Sequence, residues 1–88
     1  MIFKTSSDFN KEFKKLPKDL QDLAKKKLNI FFKNSSHPSL RVKKVMGYYE
    51  EPPIMEMSVT MAIRITFQKF HDFLYLRHIG THEVFRHP

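Results

Sequence analysis

No cysteine occurs in the 88 residues, so neither a disulfide framework nor a cysteine-based zinc site can hold this chain together. That absence also fits a reducing compartment such as the cytoplasm. No apolar run approaches the roughly 20 residues that a membrane span requires. The first residues, Met1-Ile2-Phe3-Lys4, lack the long apolar core of a signal peptide. Repeats and low-complexity segments are missing as well. What remains is a single soluble domain over residues 1–88, near the lower end of what folds alone, with no membrane association expected.

What is present is apolar bulk and positive charge. Apolar residues make up 41% of the chain, with nine Phe and five Met, enough for a modest core. Sixteen Lys and Arg against nine Asp and Glu give a formal charge of +7. A domain this basic is drawn to polyanions, because each phosphate it neutralises releases counterions. Nucleic acid and an acidic protein are the partners that charge favours over a merely solvated lysine surface.

The patterning predicts an α+β domain, two N-terminal helices packed on a twisted antiparallel β-sheet. Ile2–Thr5 reads as a short strand, followed by the capping cluster Ser6-Ser7-Asp8. A first helix runs from about Asp8 to Lys15, with Phe9, Phe13 and Leu16 on one face, until Pro17 interrupts it. A second helix spans roughly Pro17 to Asn34, with Leu20, Leu23, Ala24, Leu28 and Phe31 near one stripe. Asn34–Ser39 is a loop by composition, Arg41–Val45 a basic strand, and Gly47–Pro53 a turn-rich connection.

Two alternating runs then define the sheet. Met55, Met57 and Val59 share one face of 55–60, opposite Glu56, Ser58 and Thr60. Ile63, Ile65 and Phe67 share one face of 63–68, opposite Arg64, Thr66 and Gln68. Phe70–Phe73 reads as a turn into a last strand, Leu74–Ile79. Gly80 permits a bend that returns the tail across the polar face, gathering Arg64, Arg77, His82 and His87 in one region.

Arg64 stands out for chemistry. Its base is held mid-strand between isoleucines, and a guanidinium there can grip a phosphate with paired hydrogen bonds and stabilise charge developing on it. It can equally pair with Glu56 on the neighbouring strand, and the two roles are compatible. His82 and His87 are candidate proton carriers, since histidine titrates near neutrality. His37 and His71 read as loop residues, and His78 receives no assignment. No histidine spacing matches a metal-ligand pattern, and no cofactor is expected. Phe85 can stack on an unpaired base or pack in the core.

With these residues in view, the chain resembles the RelE/ParE superfamily of bacterial toxin–antitoxin toxins. The resemblance covers most of its length. It rests on the element order, on Ser39-Leu40 through Gly47, on Ser58-Val59-Thr60 leading to Ile63-Arg64-Ile65-Thr66-Phe67, and on Ile79-Gly80-Thr81-His82. It implies a compact toxin, most often a ribosome-dependent mRNA endonuclease, held in check by a cognate antitoxin. Arg64 resembles the family's strand arginine and His82 the histidine of its Gly-Thr-His tail. Lys43 and Lys44 resemble its RNA-contacting basic residues, with Arg77 and Phe85 as further RNA contacts. Two departures are visible. Ala62-Ile63 stands where relatives often carry an aromatic before the arginine, and Phe85 lacks a tyrosine hydroxyl. Proton transfer then falls to His82, His87 or Glu56. The rival implications are a ParE-like gyrase inhibitor without catalysis and a degenerate toxin that keeps only antitoxin binding.

Overall fold

The computed structural model describes residues 2–88; the side chains of His82 and Phe85 lie outside that description. The chain opens with β1 (Ile2–Thr5), α1 (Ser7–Lys15) and α2 (Lys18–Lys33), and a 3-10 turn at Pro38–Leu40 follows. Then come β2 (Lys43–Lys44), β3 (Met55–Ser58), β4 (Arg64–Lys69) and β5 (Phe73–Gly80), and last a 3-10 turn at His82–Phe85. No helix among the described residues is long and apolar enough to cross a membrane.

Local chemistry sets the helix ends. The Ser6 hydroxyl accepts the Phe9 N–H at 2.9 Å, the bond an N-cap supplies, and itself donates to the Arg77 carbonyl on β5. One side chain thus starts α1 and ties it to the sheet. Leu16 is extended (φ −71°, ψ 146°) because the following Pro17 ring disfavours the helical region, which parts α1 from α2. The Gln21 amide then donates to the Phe13 and Leu16 carbonyls at 3.1 and 3.0 Å, satisfying acceptors that α1 leaves behind. From α2, Ala24, Leu28 and Phe31 are buried, and the Phe31 ring meets Phe67 of β4 edge-on at 5.3 Å between centroids. Each such large side chain contributes on the order of 1.5–3 kcal/mol by leaving water.

The sheet has five strands in the order β1-β5-β4-β3-β2. It is antiparallel except at one edge, where β1 runs parallel to β5. The strand expected over Arg41–Val45 shrinks to Lys43–Lys44, because Arg41 adopts the left-handed region (φ 48°) and closes the preceding turn. Residues 59 and 60 leave β3 for the turn into β4. A bulge between Thr66 and Phe67 places Arg77 as an extra residue on β5.

On the polar face Glu56, Ser58, Thr66 and Gln68 are all buried. The tail does cross that face, and its ties explain the burial. The Pro88 carbonyl accepts from Arg77 Nε at 2.7 Å and from Thr66 Oγ1 at 3.1 Å. Gln68 Nε2 donates to the Pro52 carbonyl at 2.7 Å, and the Tyr48 hydroxyl donates to the Arg86 carbonyl at 2.7 Å. Helices cover one side of the sheet; the tail and the 45–53 loop cover much of the other.

Candidate active site

The turn before β4 fixes the arginine. Thr60 Oγ1 accepts the N–H groups of Ala62 and Ile63 at 3.2 and 2.9 Å, a side-chain-to-backbone turn that delivers the chain into β4. Arg64 Nε donates to the Met61 carbonyl at 3.3 Å and Nη1 to Glu56 Oε1 at 3.2 Å. The Arg64 and Glu56 side chains are only 12% and 7% exposed. Among the described residues Nη2 has no partner, so one edge of the guanidinium fork is left for an incoming anion. Arg64 and Glu56 therefore come together as foreseen, with Glu56 committed to holding the arginine.

Register assembles the rest. Across the sheet one row runs Lys43, Glu56, Thr66, His78, and the next runs Ser58, Arg64, Gly80. Directly opposed residues share a face, and diagonal neighbours lie about 7–8 Å apart. Arg64 thus has Glu56 on one diagonal and His78 on the other. Lys43 is exposed beside Glu56, whereas Lys44 is opposite Met55 and belongs to the other face.

Sequence reasoning gave no role to His78 or Glu12. His78 Nδ1 lies 3.1 and 3.2 Å from the two carboxylate oxygens of Glu12 on α1, and the Ile79 N–H donates to Glu12 Oε1 at 3.2 Å. Among the described residues no strand pairs with this edge of β5 beyond Thr5, so the carboxylate satisfies an edge donor. His78 opens onto a cleft of about 690 Å3, floored by Leu16, Ile63, Ile79 and Val84 and rimmed by Lys15, Glu83 and His87. Gly80 belongs here for space: a Cβ on it would meet Val84 Cγ1 at 3.2 Å.

The remaining candidates divide. His87 is exposed and lines that cleft. Arg77, expected as an RNA contact, donates from Nη1 to Gln68 Oε1 at 2.6 Å and from Nε to the Pro88 carbonyl, so it clasps the tail. The side chains of His82 and Phe85 lie outside the described residues. His37 and His71 are exposed loop residues, as expected. Among the described residues no group of three or more His, Asp or Glu could hold a metal ion.

Neither a family model nor a curated protein matches the sequence. Solved structures do match. The YoeB dimer from Staphylococcus aureus aligns with a TM-score of 0.78 at 9% identity, over 93% of this chain and 97% of that one. The E. coli DinJ-YafQ toxin-antitoxin complex aligns at 0.75 and 14% identity, over 93% and 92%. The RelB-RelE antitoxin-toxin complex from Methanococcus jannaschii aligns at 0.70 and 17% identity, over 99% and 96%. The chain therefore has the RelE-like α+β fold of these toxins, two helices on a five-stranded, mostly antiparallel sheet.

Proposed function

We propose that the protein is the toxin of a toxin–antitoxin pair and an endoribonuclease that cuts mRNA on the ribosome. The observation that carries this reading is Arg64: a guanidinium anchored by Glu56 and Met61, its Nη2 edge without a partner among the described residues, on a RelE-like fold. Chemically, the ribose 2′-oxygen attacks the adjacent phosphorus, the bond to the 5′-oxygen breaks, and the products are a cyclic phosphate and a 5′-hydroxyl. Negative charge grows on the phosphoryl oxygens, and a preorganised arginine that has already lost its water stabilises it. One group must take the 2′-hydroxyl proton and another must give one to the leaving oxygen. His82 fills one of these roles. Lys43, exposed on the Arg64 face at the sheet edge, holds a backbone phosphate there, Lys44 meets phosphates that pass round that edge, and Phe85 stacks on a base.

The partner is a cognate antitoxin. Structures with this fold include toxin–antitoxin complexes, and a +7 surface favours an acidic segment that folds as it binds. The test supplies purified protein to translating ribosomes and maps mRNA ends, with gyrase and supercoiled DNA in a parallel reaction. Cuts ending in cyclic phosphate, absent with Arg64→Lys, are the expected result. Intact mRNA with inhibited gyrase would establish the non-catalytic alternative, and inactivity in both would leave a degenerate toxin.

A further inference from the structure

We infer that His78, oriented by Glu12, is the general base that takes the 2′-hydroxyl proton. This rests on the endoribonuclease reading and names a residue for a step that reading leaves open. Glu56 cannot serve easily, since its carboxylate is 7% exposed and bonded to Arg64. His78 sits on the other diagonal of Arg64, on the same face by register, with their backbones about one diagonal spacing (7–8 Å) apart. In the proposed reaction a ribose phosphate spans this corner of the sheet from Arg64 to the cleft that His78 lines, with its phosphoryl oxygens at Arg64 and its 2′-hydroxyl at the histidine.

Glu12 fixes the chemistry of the ring. Its carboxylate can only accept, so Nδ1 of His78 must carry the proton that joins them. The Ile79 N–H holds Oε1 from the backbone, so the carboxylate is itself anchored. In the neutral ring Nε2 then bears the lone pair, the form a base requires, and among the described residues it has no hydrogen-bond partner. The arrangement follows the orienter–base logic of hydrolytic triads, without a protein nucleophile because RNA brings its own. In the step, Nε2 takes the proton as the 2′-oxygen–phosphorus bond forms. The 5′-oxygen leaves with a proton from His82, and the two histidines return to their starting states by exchange with water. Glu12 is the positioning residue and touches no substrate.

The experiment is single-turnover mRNA cleavage at saturating ribosomes, from pH 5.5 to 9, for wild type, His78→Gln, Glu12→Gln and Glu12→Asp. Besides Glu12, the charged or titrating groups that line this cleft among the described residues are Lys15 on α1 and Glu83 and His87 on the tail. Loss of a positioned base costs about 10²–10⁴-fold, and His78→Gln should also lose the limb of the profile that rises with pH. Glu12→Gln keeps an acceptor for Ile79 but presents an amide N–H to Nδ1, reversing the tautomer. The cleavage rate should fall on the order of tenfold or more with ribosome affinity unchanged, and Glu12→Asp should recover part of it. Unfolding midpoints identify any variant lost to misfolding, and Glu12→Gln tests the idea independently of His78. Wild-type cleavage with His78→Gln folded and within twofold of it would overturn the assignment. Equal rates for folded Glu12→Gln would remove the orienting role, and with it the argument for His78. A wild-type protein that binds ribosomes and cuts nothing refutes the endoribonuclease reading, and the base falls with it.

Discussion

The buried Arg64–Glu56 pair makes the obvious test of Arg64 ambiguous and supplies a better one. Two opposite charges 3.2 Å apart attract by about 5 kcal/mol at an effective dielectric of about 20. Desolvation of both groups offsets much of that, so the pair adds little net stability. Removing one partner is different, because it strands the other charge in a site only 7–12% exposed. Such losses cost about 3–5 kcal/mol, a large fraction of a small domain's total stability. Arg64→Met and Glu56→Leu should each destabilise by about 3 kcal/mol in urea unfolding followed by circular dichroism. The double variant should cost about 1 kcal/mol or less, a coupling of about 5 kcal/mol, which is the size of the attraction itself. Growth arrest abolished by Arg64→Ala would then report lost folding as readily as lost catalysis. Arg64→Lys separates the two, since it keeps a charge for Glu56 but loses the planar fork: stability within about 1 kcal/mol, cleavage down roughly 100-fold or more. Single variants that cost less than about 1 kcal/mol each and simply add in the double would refute the account of a desolvated pair.

Three further outcomes follow from other contacts. Ser6→Ala removes both the α1 cap and the bond to the Arg77 carbonyl, and should cost about 1–2 kcal/mol in the same urea assay, whereas Ser7→Ala should cost far less. Arg77→Ala unclasps Pro88, so amide exchange at Val84 and Arg86 should quicken on the order of tenfold while β3 and β4 amides keep their protection. The Lys18 ammonium, hydrogen-bonded at 2.6 Å, lowers the Asp22 carboxyl pKa. The unfolded chain therefore binds that proton more readily, so the pair's small stabilisation is present above the unfolded carboxylate pKa and disappears as pH falls through the folded value. Asp22→Asn should flatten that part of a stability–pH curve, and an unchanged curve would dismiss the pair as energetically silent.

How much of this was legible in the sequence depends on how local the cause is. Helix ends were readable because Ser6, Pro17 and Asn34 act within a few residues of themselves. The faces of β3 and β4 were readable because period two is a property of the strand. Arg64 was readable by both routes, from its place between isoleucines and from a family pattern. That the tail returns across the polar face was readable from Gly80, but alternation could not say that Pro88 would be held by Thr66 and Arg77 or that Gln68 would reach Pro52. The bonds of Arg77 to Pro88 and Gln68 were hidden for the same reason, because they depend on where the tail comes to rest.

His78 is the instructive omission. Strict alternation from Leu74 and Leu76 would put His78 among the core residues and Ile79 outside, the wrong way round for both. The apolar positions shift from even to odd between Leu76 and Ile79, and one extra residue in the strand is the economical way to make that shift. The bulge at Arg77 supplies it, returning Ile79 to the core and turning His78 to the face that carries Arg64. That much can be read from the letters. Glu12 cannot, because its carboxylate reaches His78 only after α1 has been tied against β5 through Ser6. The proton-carrying role inferred for His78 therefore depends on an N-cap: the bond that starts the first helix also places the carboxylate that selects the tautomer.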